Sequence, residues 1–596
     1  MGINPVLWSP KPEKVTNMTN SSGRIMYFHS TNIDQMKFLY ASFCLLTASA
    51  LHAQQFNHAL PIPPLVSGTT FNLTMNDTVH QFNPGVNTNT FAFNGTILGP
   101  TLEMNKWDTI QMNVTNHLNE ITTVHWHGLH VPAKEDGGPH TIIPVDSTWR
   151  PSFRMLNNAS TCWYHPHTHM ETMRQVNMGL AGLIIIRDSA EAQLNLPRTY
   201  GVDDFPVVIQ DRTLDGNGQF LFYALADSII VNGATRPYMD APAQMVRMRV
   251  LNGANARAFI IAFSDNRPFY VIASDGGLIG APDTVTSLKI TNGERYEIIV
   301  DFTNDSPGDS LYMICKGSQF AAAEPGGSGM QSGNSALNGV DYNIMQINVV
   351  AQTSSPVTTL PQTLIPVTPW SQAAVSVTRN KSMMGMGMYD MGNMTINGLT
   401  FDMNVINDTV YKDAIEIWNI SNNSPQVAHP FHIHDIQFYI LDRNGLAPEP
   451  YESGLKDVIY LKAGETVSFI TKFENFTDSV TPYMYHCHNL HHEDMGMMLQ
   501  FIVIEDPNAS TEEISMQRSG ISAMPNPAQE NWVINSEGFD ADAQWTLTDI
   551  NGKTVEAGSV NGETQISVNA NSLQAGVYFF TIFDGKQSSR IQLIRN

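Results

Sequence analysis

Over Tyr485–Met497 the chain reads YHCHNLHHEDMGM, and this stretch constrains the fold more than any other. In an extended strand, neighbouring side chains point to opposite faces, and residues two apart share a face about 7 Å apart. On a strand, His486 and His488 therefore look one way and Cys487 the other. The same spacing recurs in HWHG (His125–Gly128), HPHTH (His165–His169) and HPFHIH (His429–His434). His125/His127, His165/His167 and His432/His434 each present two imidazoles to one side. His429 has the opposite parity to His432 and His434, provided Pro430 keeps the register. His492 and Met497 lie past the strand end and can fold back towards Cys487.

The rest of the chain supplies the strands this argument needs. Of 596 residues only 15% are charged, and 42 Gly and 33 Pro point to many turns. Short alternating runs such as TLEMNKWDTIQMNVTNHL, QMVRMRVLNGA and YNIMQINVV recur, and long helical periodicity is absent. The expectation is an all-β chain of sandwiches or barrels. Blocks fall at about 60–190, 200–350 and 381–507, with a Thr/Pro/Ser-rich linker at about 351–380 and a final block at about 515–596. No histidine lies between Met170 and Ala428. Any histidine-based metal site is therefore shared by the first and third blocks.

From Met36 the sequence MKFLYASFCLLTASALHAQQ has the form of a secretory signal over about 36–53, with residues 1–35 an upstream segment of an over-extended start. Its apolar run is too short to span a bilayer, and no later run is long enough. A formal charge of −23 argues against nucleic acid and anionic membrane surfaces. Once Cys44 leaves with the signal, Cys162, Cys315 and Cys487 remain. Their odd number leaves one thiol free, modified or metal-bound. Cys162 and Cys315 are either a disulfide or two separate buried thiols.

Parity sorts the ligands into two sets. Cys487, His429 and His492, with Met497 as a weak fourth, make the donor set of a blue-copper electron-transfer site. The other set has eight imidazoles and no carboxylate, which favours copper over calcium, magnesium or manganese and exceeds a four-coordinate zinc site. The four motifs, with HWHGLHVPAKEDGGP, CWYHPHTHMETMRQVNMGLAGL and NGLTFDMN around them, resemble the multicopper oxidase family over about 65–507, in its bacterial cuprous oxidase and laccase-like branch. The resemblance implies three cupredoxin-like Greek-key domains and four copper ions. It implies a type 1 copper on His429, Cys487, His492 and Met497, and a type 2 copper on His125 and His432. It implies a type 3 pair, one ion on His127, His165 and His488 and the other on His167, His434 and His486. The implied reaction couples four one-electron oxidations of a donor to reduction of O2 to two waters. Asp136 and Glu493 match positions that carry acids in the family; proton delivery is the role expected of them, and orienting a histidine N–H is the alternative, not exclusive, role.

The donor is less sharply marked. KSMMGMGMYDMGNM places Met383, Met384, Met386, Met388, Met391 and Met394 with Asp390 where soft thioethers could hold Cu(I), and its glycines argue against a core strand. In the cuprous oxidases Asp and Met precede the motif that begins here at His429, whereas this chain has Pro425 and Val427. That shifts the expectation towards a phenol or a bilirubin-like compound, with a copper-sequestering protein as the alternative class. His130, His140, His169 and His491 are expected to support the motifs or lie on the surface, and His117 on the surface. The tail, with PNPA, DINGK and LQAGVYF, resembles the C-terminal sorting domain of the type IX secretion system, a small β-sandwich. This implies type IX secretion machinery as a partner, and a route through the periplasm to a secreted or surface-attached state. A carbohydrate-binding module is the other reading.

Overall fold

The computed structural model describes residues 56–329, 335–385, 387, 394–506, 521–536, 538–550, 552–584 and 588–596. The signal-like segment, Met386, Met388, Asp390 and Met391 lie outside these. Strands dominate, and the described helices are short (Thr172–Met178 and Leu490–Asp494 are the α-helices).

The first block packs two sheets face to face. One runs Leu65–Ser67, Thr101–Asn105, Gly182–Arg187, Ser160–His165, His125–His127; the other is built on Thr70–Asn83, Val86–Phe93 and Thr109–His117. Alternation drives the packing. In Thr109–His117 Ile110, Met112 and Val114 are buried while Thr109, Gln111 and His117 face water. The third block repeats the plan, with Asp408–Tyr411, Met498–Ile504, Asp478–Cys487, His429–Ile433 and Val458–Leu461 in one sheet and Ile415–Asn422 central to the other. Its second sheet includes Val377–Met384, so strand structure begins inside the stretch expected as linker and takes in the first methionines of the Met-rich run. Met383 is buried in that block's core and Met384 points out, contrary to the expectation that the run would avoid a core strand.

The middle block has a larger pair of sheets, and His58–Ala59 adds to one of them beside Pro237–Pro242. Cys315 lies in this block's core and Cys162 in that of the first, and both are free. The disulfide alternative is thereby removed, because each thiol is enclosed in a different hydrophobic core. The tail folds around its own core of Trp532, Leu547, Phe580 and Leu593, between a three-stranded and a four-stranded sheet.

Candidate metal centre

Eight buried imidazoles converge where the first and third blocks meet. His125, His127, His165, His432 and His486 lie on strands, and His167, His434 and His488 stand one or two residues past a strand end. Ring centroids within each pair are 5.7 Å apart for His125–His127, 6.2 Å for His165–His167, 5.1 Å for His432–His434 and 5.5 Å for His486–His488. Each pair thus shares one side of its strand. Pairing of His429–Ile433 with Asp478–Cys487 sets His432 opposite His486 and Phe431 opposite Cys487.

The nitrogens gather in threes. His127 Nδ1 lies 3.4 Å from His165 Nε2 and 3.2 Å from His488 Nε2. The Nε2 atoms of His167, His434 and His486 are mutually 3.1–3.3 Å apart. Three nitrogens so spaced lie about 1.9 Å from their common centre, close to a metal–imidazole bond. His125 and His432 join His434 in a further group whose ligand atoms lie within 4.8 Å. The Nε2 atoms of His125 and His432 are buried and make no hydrogen bond. Cys487 turns the other way: its sulfur is 3.4 Å from His429 Nδ1 and 3.6 Å from His492 Nδ1. The chain returns from Leu490–Asp494 so that Met497 O accepts from Cys487 N at 3.0 Å, with the Met497 side chain buried in the same core.

Lone pairs aimed at one another in a dry interior are unfavourable unless a cation lies between them. Burial keeps the imidazoles neutral and able to ligate: His429 and His486 are pushed down to about 3. His127, His165, His167, His432, His434 and His488 are held well below the ordinary range, first by burial and then by one another. Burial drives the Cys487 thiol far above its usual value, so an incoming cation must displace its proton. The donor set fits copper, because imidazole and thiolate suit it, and among the described groups of three only that of His127, His432 and Asp457 includes a carboxylate oxygen.

Carboxylates fix the far side of the rings. His434 Nδ1 donates to Asp136 Oδ2 at 2.8 Å, and His125 Nδ1 donates to the Asp136 carbonyl at 3.0 Å. Glu493 stands between His486 Nδ1 at 3.2 Å and His167 Nδ1 at 3.4 Å. Burial, and then Asp494, hold the Glu493 carboxyl well above the usual range. Sequence reasoning missed Asp457: its Oδ1 accepts from His127 Nε2 at 3.2 Å and its carbonyl from His432 Nδ1 at 2.8 Å. Asp457 is gripped by Arg295 of the middle block through contacts of 2.5 and 2.7 Å. A β-carbon at Gly293 of that block would lie 3.0 Å from the His488 ring. The block without histidine therefore forms one wall of the cluster.

The remaining histidines stand apart. His130 donates to Asp435 Oδ1 at 2.8 Å, His140 meets Gln500 at 2.8 Å, and His169 packs on Phe401. His117 is exposed beside Asp146, and His491 is partly exposed on its helix. Of the methionine run, Met383 and Met394 are buried in the third block's core and Met384 reaches solvent.

An all-β chain of cupredoxin-like blocks with imidazoles and a thiol gathered in this way falls in the class of copper proteins. Family models described as multicopper oxidase match residues 74–191, 203–336 and 368–507, and a secretion system C-terminal sorting domain matches 522–596. The chain is 34% identical to a multicopper oxidase of Staphylococcus haemolyticus over 70% of its own length and 84% of the relative's. It is 31% identical to the cell division protein FtsP of Escherichia coli, covering 77% and 94% of the two chains. Among solved structures, a bacterial laccase-like multicopper oxidase of Ochrobactrum superposes with a TM-score of 0.67 at 34% identity, covering 75% of this chain and all of that one. A laccase of Pediococcus acidilactici does so with a TM-score of 0.67 at 33% identity, covering 76% and 95%. The chain belongs to the multicopper oxidase family and carries a type IX sorting domain at its C-terminus.

Proposed function

We propose that the chain holds four copper ions and oxidises a small donor, a phenol or bilirubin-like compound or Cu(I), in four one-electron steps while reducing O2 to two waters. The observation that carries this reading is the single strand end His486–Cys487–His488, which gives its sulfur to one buried set and both imidazoles to another. In this reading His429, Cys487, His492 and Met497 hold the type 1 copper, and His125 and His432 hold the type 2 copper. His127, His165 and His488 hold one ion of the type 3 pair, and His167, His434 and His486 the other. Bound copper supplies the one-electron redox chemistry and the site of dioxygen reduction.

The chain's own residues orient, insulate and deliver protons. Asp136, Asp457 and Glu493 fix imidazole orientation from behind, and the apolar packing of all three blocks excludes water. Burial raises the proton affinity of the Glu493 carboxyl, which lies beside His167 and His486 and is the first proton-delivering acid of this reading. Asp136 is the second proton-delivering acid. With Met383 and Met394 withdrawn into the core and Val427 packed against Ala224, Leu225 and Ala256, the surroundings of His429 support an organic donor over Cu(I).

The sorting domain supports export by type IX machinery, with passage through the periplasm and a secreted or surface-attached end state. The test is oxygen uptake by copper-loaded protein with dimethoxyphenol and with Cu(I), alongside copper analysis and absorbance near 600 nm. Four coppers, a blue band and turnover support the reading. Negligible turnover with more than four bound coppers supports sequestration instead, and negligible turnover without excess copper supports a non-oxidase role such as the cell division relatives are named for.

A further inference from the structure

The imidazole edge of His429 that points away from Cys487 is closed by a serine. Ser424 Oγ lies 2.8 Å from His429 Nε2, and both residues are fully buried. Because Nδ1 faces the sulfur at 3.4 Å, the ring proton belongs on Nε2, and Nε2–H donates to Ser424 Oγ. The same oxygen accepts from Gly385 N–H at 2.8 Å. Its two lone pairs are thus committed, one to the ring and one to the first residue after the strand Val377–Met384.

The serine is itself held rigidly. Ser424 N donates to Asn422 Oδ1 at 2.9 Å, and Asn422 Nδ2 donates to the carbonyls of Val427 at 2.9 Å and Leu461 at 3.2 Å. Gly385 packs closely on the ring: a β-carbon there would lie 3.4 Å from His429 Cε1 and 2.5 Å from Met394 Sδ. Neither edge of the His429 ring reaches solvent, so what touches it from outside is the Ser424–Gly385 pair.

We propose that Ser424 is a positioning residue for the cysteine-containing site: its hydroxyl locks His429 with Nδ1 towards Cys487, and clamps the start of the methionine run onto the ring. This rests on the copper assignment made above for His429 and Cys487. An acceptor on the far nitrogen makes an imidazole more basic and favours the oxidised state of the ion it holds. Ser424→Ala removes the acceptor, leaving His429 Nε2–H and Gly385 N–H buried without a partner. One neutral hydrogen bond corresponds to about a fivefold change in an equilibrium constant. That is a rise of about 40 mV in the reduction potential, at 59 mV per tenfold for one electron.

The experiment is a redox titration of the 600 nm band in the copper-loaded full chain, for parent, Ser424→Ala and Ser424→Thr. A rise in Ser424→Ala with recovery in Ser424→Thr supports the assignment, and an unshifted Ser424→Ala overturns it. Should the alanine variant fail to fold, the metal-free parent labelled at histidine nitrogen decides by NMR. A slowly exchanging proton on His429 Nε2 supports the lock, and a proton on Nδ1 or rapid exchange overturns it. That readout needs no copper. A parent lacking the blue band therefore sinks the copper assignment, while the position of the ring proton still decides whether Ser424 locks the imidazole.

Discussion

Asp457→Asn tests whether the histidine-free block holds the centre in place. The substitution keeps an oxygen within reach of His127 but removes the negative charge that meets both arms of Arg295 at 2.5 and 2.7 Å. Arg295 and Asp457 are fully buried, and Asp275 stands 3.6 Å from the guanidinium as partial compensation. Breaking a buried pair from one side costs about 3–5 kcal/mol, and the remaining acid argues for the lower end, about 3 kcal/mol. For a cooperative unit of one block this is a fall in Tm of about 6–12 °C. Replacing the stranded cation as well, in Asp457→Asn with Arg295→Met, should recover part of that loss. Recovery is incomplete because the carbonyls of Thr161, Gly293 and Asp275 lose their donor. Copper retention should not follow stability. His127 lacks its charged acceptor in both variants, which weakens metal binding about 10–100-fold. Calorimetry of the metal-free protein and copper analysis after dialysis against a chelator measure the two effects. A single variant within about 2 °C of the parent, or a double variant no more stable than the single, would refute the argument.

Three further perturbations probe other parts of the site. Glu493→Gln and Asp136→Asn should slow oxygen uptake by about 10–100-fold while leaving the 600 nm band intact; unchanged uptake in both removes their role in proton delivery. In the metal-free protein His429 sits at about 3 when folded, against an ordinary value of about 6.5 when unfolded. Its stabilising contribution is present above pH ~6.5 and lost as pH falls towards the folded value, about 2 kcal/mol by pH ~5. His429→Gln should therefore flatten the acid limb of the stability curve by that amount, and an unaltered limb contradicts the assignment. Gly293→Ala adds a side chain at a φ of 83° and 3.0 Å from the His488 ring, a backbone cost of about 1–2 kcal/mol before any displacement of the ring. Copper should be lost from the eight-histidine cluster with the blue band retained, as copper analysis paired with absorbance will show.

The histidine partition was legible because it depends only on the two-residue period of a strand, which is local. His486 and Cys487 diverge for that reason alone, and His429 falls on the sulfur's side for the same one. Charge pairs carry no such period. Arg295 and Asp457 meet across 162 residues of sequence, and nothing in LKDVIYL marks its aspartate as different from any other acid at a strand start. Ser424 was hidden for a related reason, since a serine beside Pro425 reads as a turn residue until the turn is seen folded over His429. Met383 was misread through the glycines that follow it. They draw attention from the strand that ends at Met384, where alternation buries Met383 as it would any apolar residue. Cys162 and Cys315 were undecidable because pairing depends on which core encloses each thiol, and sequence does not state that.

The middle block's lack of histidine first suggests that it has no part in the chemistry. The contacts argue otherwise. A cluster shared between two blocks is only as well defined as the joint between them, and imidazoles half an ångström out of place bind metal poorly. The middle block contacts both of the blocks that form the joint. Arg295 reaches Asp457 of the third block and, through the carbonyl of Thr161, the first. Asn255 O accepts from Leu490 N at 2.9 Å, at the start of the helix that carries His492 and Glu493. Arg212 donates to the carbonyls of Val176 and Asn177 at the end of the helix Thr172–Met178, whose other end is held by Asp494. Thr161 lies four residues before His165, Leu490 lies between His488 and His492, and Asp457 itself accepts from His127. With so little helix and no described disulfide to brace the joint, buried charge and backbone hydrogen bonds from a third body brace it instead, which is why the block without ligands should be as sensitive to substitution at Arg295 and Gly293 as the ligand-bearing blocks are at their acids.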